Sequence, residues 1–202
     1  MSYVVPKQRY QTLLEIKKSK FYACAGCVET RDEAMTMLAE LKAQYPDARH
    51  HCWAYLLGNP ATPVTMAMSD DGEPSGTAGK PILNVLQHKN VGNIMMVVTR
   101  YFGGIKLGAG GLVRAYSGAA QQTMATLPVL QRVSLSTFTV ETSFANEQFI
   151  RHWVDSVEGC VHNCDYGETV KLSIGIPDTA TPSLMAYAGS LHLTVKAGEN
   201  TQ

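Results

Sequence analysis

Lys80, Arg100, Lys106 and Arg114 lie in or beside two glycine-rich stretches of this 202-residue chain, and cations beside bare backbone are the chemistry of anion binding. The first stretch reads SDDGEPSGTAGKPIL, residues 69–83. The second, RYFGGIKLGAGGLVRAY at residues 100–116, puts Gly103, Gly104, Gly108, Gly110 and Gly111 within nine positions. Each stretch runs into an expected helix. The first backbone N–H groups of a helix lack intrahelical partners, its dipole favours an anion there, and glycine lets that backbone approach a ligand. Neither spacing is the dinucleotide fingerprint or the Walker sequence, so no named nucleotide site follows. The competing reading gives the glycines to tight turns and close packing, with Gly118 against a neighbouring strand, and the pattern alone does not separate the two.

Asp70, Asp71 and Glu73 stand beside these cations. Three carboxylates can hold a divalent metal, or can cap turns and neutralise lysines, which is their commoner fate. Lys106, in the loop, is placed to reach a phosphate, while Arg114, one turn into the helix, is expected to pair with Asp70 or Asp71. Tyr101 and Tyr116 are candidates for stacking on bases. His50, His51 and Cys52 could serve as ligands or acid/base groups, but neighbours on a strand face opposite sides, and a polar strand start is the plainer reading. Cys24 and Cys27 have redox-pair spacing within a strand that turns them to opposite faces, against a thioredoxin-like role. Cys160, His162 and Cys164 recur at period two and are expected on one strand face, where sheet packing outweighs an incomplete zinc site. No catalytic signature is present, so no catalytic residue, metal or cofactor is assigned.

These residues must be positioned by elements. TLLEIKKSKFYACAGCVET reads as two strands around a turn at KKSK. A helix follows from Arg31 with Ala34, Met37, Leu38 and Leu41 on one face, ended before Pro46. HHCWAYLLG and PVTMAMSD are short strands, a helix starts near Gly79 with Pro81 in its first turn, and NIMMVVTRYF is a strand buried on both faces. The glycine loop ends that strand, and a long helix carries Leu112, Val113, Tyr116, Ala119, Ala120, Met124 and Leu127. Near Arg132 the character changes. From there the order is strand, helix, strand, strand, helix, strand, with strands near 135–142, 160–165, 168–176 and 190–196. Phe149, Ile150, Trp153, Val154 and Val157 form the stripe of the first of these helices. That order is the split βαβ, ferredoxin-like arrangement. The expectation is an α+β chain of two domains, 1–132 and 133–202.

At 45% hydrophobic and 17% charged residues the chain can bury a sizeable core. No apolar run spans a bilayer and no signal peptide is evident, so the cytoplasm and no membrane partner are expected. Five cysteines leave one over, against a secreted disulfide framework. The formal net charge of zero divides unevenly: residues 1–120 hold 13 Lys/Arg against 9 Asp/Glu, and the remainder 4 against 8. This permits a polyanionic partner without demanding one.

SDDGEPSGTAGKPIL and RYFGGIKLGAGGLVRAY together resemble the IMPACT family, its bacterial YigZ-like members in particular, and the resemblance covers essentially the whole chain. It implies a first domain like the second domain of small-subunit ribosomal protein S-five, and a ferredoxin-like second domain similar to domains of elongation factor G. Eukaryotic members regulate translation under starvation by competing for an activator of an initiation-factor kinase, using an additional N-terminal domain that this chain is not expected to carry. That kinase role is therefore not expected to transfer. What carries over is a cytoplasmic setting and a link to translation or RNA, with no catalytic residues. The leading expectation is a non-enzymatic protein binding RNA or a ribonucleoprotein such as the ribosome. Its surface would comprise both helix starts with Lys80, Arg100, Tyr101, Gly103, Gly104, Lys106, Gly108, Gly110, Gly111 and Arg114. The alternatives are a metal-assisted enzyme acting on a phosphorylated small molecule, and an interaction module for a translation-factor protein.

Overall fold

The structure, a computed structural model, describes residues 2–133, 135–191 and 193–198. The chain divides into two compact units, Ser2–Arg132 and the part from Val133 onward.

In the first unit, β1 (Tyr3–Pro6), β2 (Tyr10–Ile16) and β3 (Ser19–Cys27) precede α1 (Arg31–Gln44). Then come β4 (His50–Leu57), β5 (Thr65–Ser69), α2 (Gly79–His88), β6 (Ile94–Tyr101), α3 (Ala109–Thr126) and β7 (Val129–Arg132). Five strands form one antiparallel sheet in the order β2-β3-β6-β4-β5. Period-two alternation sends Cys24, Tyr55, Leu57, Met95 and Val97 to the face that Ala34, Met37 and Leu41 of α1 cover. Phe21, Ala23, Cys52, Ala54, Met96 and Val98 go to the other face, under Ile82 and Leu86 of α2 and Leu112, Tyr116 and Ala119 of α3. The unbroken apolar run of β6 is thus explained by helices on both faces of a wholly antiparallel sheet. The hairpin between β2 and β3 turns on Lys17 and Lys18, both at positive φ (48° and 64°), as a type I′ turn requires. β1 and β7, which the sequence pattern did not announce, pair with each other and tie the two ends of this unit together.

The second unit comprises β8 (Leu135–Thr142), α4 (Phe144–Ser156), β9 (Cys160–Tyr166), β10 (Val170–Pro177), α5 (Thr181–Ser190) and β11 (Thr194–Ala197). The sheet order β11-β8-β10-β9 is that of the ferredoxin-like split βαβ. Ile150 and Val154 of α4 meet Leu172, Ile174 and Leu184 in its core. Two details differ from expectation. Phe149 lies off the buried stripe at 61% exposure, and Ser190 closes α5, so the last strand starts only at Thr194.

The Cys160, His162 and Cys164 set is also split. Ser173 pairs with Asn163 while Ile174 pairs with Val161, so His162 is the extra residue of a bulge. Cys164 consequently shares the core face of Leu172, whereas Cys160 shares the opposite face of Gly175, where His162 also lies. Strict alternation put all three on one face; the bulge shifts the alternation by one residue.

The glycine loop contributes to the fold at one position above all. A Cβ on Gly103 would overlap the backbone carbonyl of Lys18, whereas one on Gly110 would meet nothing within 4 Å. Gly110 is therefore not required by packing within the chain. Gly103→Ala is expected to cost about 2–3 kcal/mol by overpacking backbone against backbone. Gly110→Ala should be neutral or stabilise by up to about 1 kcal/mol, because alanine is the better helix former. Urea unfolding of the two variants checks this, and equal stabilities would contradict it.

Candidate functional site

Antiparallel topology gathers several strand ends at one end of the first sheet. Lys20 pairs with Tyr101, His50 with Arg100, and Trp53 with Ser69. The turn Lys17–Lys18, exposed Lys20 and Arg49, the loop after Tyr101 and the loop from Asp70 to Ala78 all leave from this end. Gly103 lets the glycine loop lie against the lysine turn, and its N–H donates to Ser19 Oγ at 3.0 Å.

The 70–78 loop is folded by its own carboxylates. Asp70 accepts the N–H groups of Gly76, Ala78 and Gly79 at 2.8, 2.9 and 2.8 Å, filling the start of α2. Burial would raise the Asp70 carboxyl, but these three donors outweigh it and hold it below its ordinary value. Asp71 accepts from His51 N–H at 2.6 Å and faces Lys42 at 3.4 Å, while its carbonyl lies 2.9 Å from His50 Nδ1. The α2 start thus already holds an internal carboxylate at its cap and first helical residue. Arg114 pairs with neither aspartate. It is exposed on α3, and both carboxylates are engaged elsewhere.

Glu73 reaches furthest in. Its Oε1 meets Arg100 Nη1 at 2.6 Å and accepts from Tyr116 Oη at 2.8 Å, with the Arg100 and Glu73 side chains 8% and 4% exposed. The Arg100 guanidinium lies between the rings of Phe21 and Phe102, 5.6 and 5.7 Å from their centroids. Arg100 is thus a buried, paired cation and not the free phosphate ligand expected from its position in the motif. Tyr116 is fully buried and cannot stack on a base. Burial, with Cys52 and Glu73 alongside, pushes its hydroxyl far above the ordinary value. The Cys52 thiol lies 2.9 Å from the Asp70 carbonyl and 3.3 Å from Tyr116 Oη, and burial raises it to about 12. His51 is buried with Nδ1 at 3.0 Å from Thr99 Oγ1, and burial lowers its pKa.

The start of α3 is different. Its cap residue, Gly108, has φ +72° and supplies no side-chain bond, and no acidic residue stands in the first turn. The first intrahelical bond is Leu112 N–H to Gly108 carbonyl, at 2.9 Å. The N–H groups of Ala109, Gly110 and Gly111 precede it without helical partners. At Gly108 and Ala109 the helix start borders a cleft of about 300 Å³ that is also lined by Lys106, Phe102, Pro74, Leu107, Arg100 and Glu73. Tyr101 is half-buried and packs edge-on to Tyr22 and Tyr45. Gly104 is exposed in the loop. Lys80 lines a separate cleft of about 510 Å³ between α2 and α3, so it does not share a cavity with Lys106. The sequence reading omitted Lys17, Lys18, Lys20 and Arg49. KKSK was a visible basic turn, but its relevance depends on the strand order that brings it to the end of β6.

Among the described residues no group of three His, Cys, Asp or Glu side chains could hold a metal ion, and no helix is long and apolar enough to cross a membrane. The Impact N-terminal domain family matches residues 17–124. The IMPACT family member YigZ of Escherichia coli is 37% identical over 87% of this chain and 86% of its own. The family member YvyE of Bacillus subtilis is 32% identical over 99% and 93%. A crystal structure of a hypothetical protein, 33% identical, superposes with a TM-score of 0.75 over 98% of both chains.

Glu73→Ala leaves Arg100 buried without its carboxylate and is expected to cost about 3–5 kcal/mol in urea unfolding. Asp70 has a lowered folded pKa, so its stabilisation is present above the unfolded carboxyl value and lost as pH falls through the folded one. Asp70→Asn should therefore be less stable than the parent at neutral pH, with the gap closing below about pH 4. A gap that stays constant on acidification would contradict the capping role.

Proposed function

The chain belongs to the IMPACT family, among its YigZ-like members, and we propose that it is a non-enzymatic, cytoplasmic, translation-linked protein. Its partner is RNA, free or within a ribonucleoprotein. The backbone is met at the start of α3, by Lys106 and by the lysine turn. The observation that carries this reading is the contrast between the two glycine-rich helix starts. At α2 an internal carboxylate takes the N–H groups of Gly76, Ala78 and Gly79 in the loop, cap and first helical position; at α3 no side chain caps the helix and no acidic residue stands in the first turn. The Asp70 carboxylate at the α2 start supports reading the α3 start as a place for an external anion.

The local charge agrees. Asp70, Asp71 and Glu73 are engaged by backbone donors, Lys42 and Arg100. Lys17, Lys18, Lys20, Arg49 and Lys106 have no ion-pair partner among the described residues. Exposed Phe102 and half-exposed Tyr101 add stacking surfaces beside these cations. The translational setting rests on the family resemblance. The metal-assisted enzyme depended on Asp70, Asp71 and Glu73 as ligands, and their present bonds lend it no support. Docking of a translation-factor protein has one observation in its favour. The cleft between α2 and α3 is lined by Lys80, His88 and Lys89 with no carboxylate, which suits an acidic segment.

Binding to a single-stranded RNA, followed by fluorescence anisotropy, should weaken as salt rises with a slope of about 0.7 in log affinity per phosphate contact. Lys106→Glu, and separately Lys17→Glu with Lys18→Glu, should weaken binding across sequences and lower that slope, with melting temperatures unchanged. Wild-type affinity and slope in both folded variants would overturn the proposal.

A further inference from the structure

The cleft at the start of α3 has more specific chemistry than a basic surface needs. It combines uncapped N–H groups, Lys106, and a wall formed by Phe102, which is 58% exposed. Arg100 lies beneath, and its Nε is the one buried side-chain nitrogen among the described residues without a hydrogen-bond partner. A buried guanidinium N–H left unpaired is costly, and the positive charge it leaves under the cleft favours an anion there. Glu73, which also lines the cleft, is paired through Oε1 with Arg100 and the Tyr116 hydroxyl, so it is not a free carboxylate there. The volume, about 300 Å³, is at the lower end of small-molecule sites. Pro74, Phe102, Leu107 and Leu112 make its walls apolar, which suits a flat base and not a run of backbone phosphates.

We infer that this cleft seats a nucleoside monophosphate. The phosphate lies on the N–H groups of Ala109, Gly110 and Gly111 with Lys106 beside it, and the base lies against Phe102. The inference rests on the reading of the α3 start as an anion site, and it deepens that reading by adding the base. The ligand is either a free nucleotide or the phosphorylated end of an RNA strand; the recognising chemistry is shared.

The test is an amide NMR titration of the whole chain with AMP, adenosine and inorganic phosphate, beside anisotropy with one RNA bearing either a 5′-phosphate or a 5′-hydroxyl. AMP is expected to shift the amides of residues 109–111 saturably and at lower concentration than inorganic phosphate, and adenosine to leave them in place. Phe102→Ala should raise the AMP Kd about tenfold, the scale of one stacked base, and leave the phosphate Kd unchanged. Lys106→Ala should raise both about tenfold. Lys17→Glu with Lys18→Glu should leave AMP binding intact while RNA binding falls. Tighter binding of the phosphorylated RNA supports a strand end as the occupant, and equal binding of the two RNAs beside saturable AMP supports a free nucleotide. If RNA binds but AMP leaves these amides unmoved, or AMP and inorganic phosphate bind alike, the inference is overturned while the basic surface stands. If neither RNA nor AMP binds, both readings fall.

Discussion

The buried ion pair between Arg100 and Glu73 is the contact on which the glycine-loop end of the first unit depends. Arg100 lies next to the end of the central strand and Glu73 sits in the loop ahead of α2, while the Tyr116 hydroxyl on α3 shares the same carboxylate oxygen. Three separate segments are therefore fixed by one oxygen atom. A pair this deep contributes little net stability, but losing either partner leaves an uncompensated charge, so the arrangement is kept all or none. The price is met by supporting contacts: two aromatic rings about the guanidinium, and Asp70 pinning the rest of the loop to the start of α2.

With that pair in place, the two glycine-rich stretches come to differ. The first folds its own carboxylates inward and is finished as a structural element. The second is held at Gly103 against the lysine turn and at Gly108 in the left-handed region, which leaves the first N–H groups of α3 facing outward. The same local physics, unpaired N–H groups at a helix start, thus serves folding at one site and is free for a ligand at the other. Phe102, exposed over the guanidinium, links the structural pair to the outer surface.

Much of this was legible in the residues. Period-two and helical spacing placed the main strands and helices, and the strand-helix order of the second unit implied its split βαβ sheet. Both glycine stretches were recognised before helices. What could not be read were the choices made by tertiary pairing. Nothing local distinguishes Arg100 from Lys106 as a phosphate ligand; only burial beside Glu73 does. The bulge at His162 leaves no sequence mark, yet it turns Cys160 and Cys164 to opposite faces. The short strands β1 and β7 lack alternation and exist because they pair with each other. Lys17 and Lys18 joined the candidate surface only once the strand order put their turn beside Gly103.

The central claim is that the Glu73–Arg100 pair holds the glycine loop and the start of α3 in their present geometry. Amide hydrogen exchange in a folded Glu73→Gln variant tests it most directly. The N–H of Gly103, bonded to Ser19 Oγ, and that of Leu112, bonded to the Gly108 carbonyl, report on the two ends of the loop. The account predicts that both exchange faster than in the parent chain while amides in the middle of β6 keep their protection. Unchanged protection at Gly103 and Leu112 would show that the loop holds its shape without the pair, and would contradict the account.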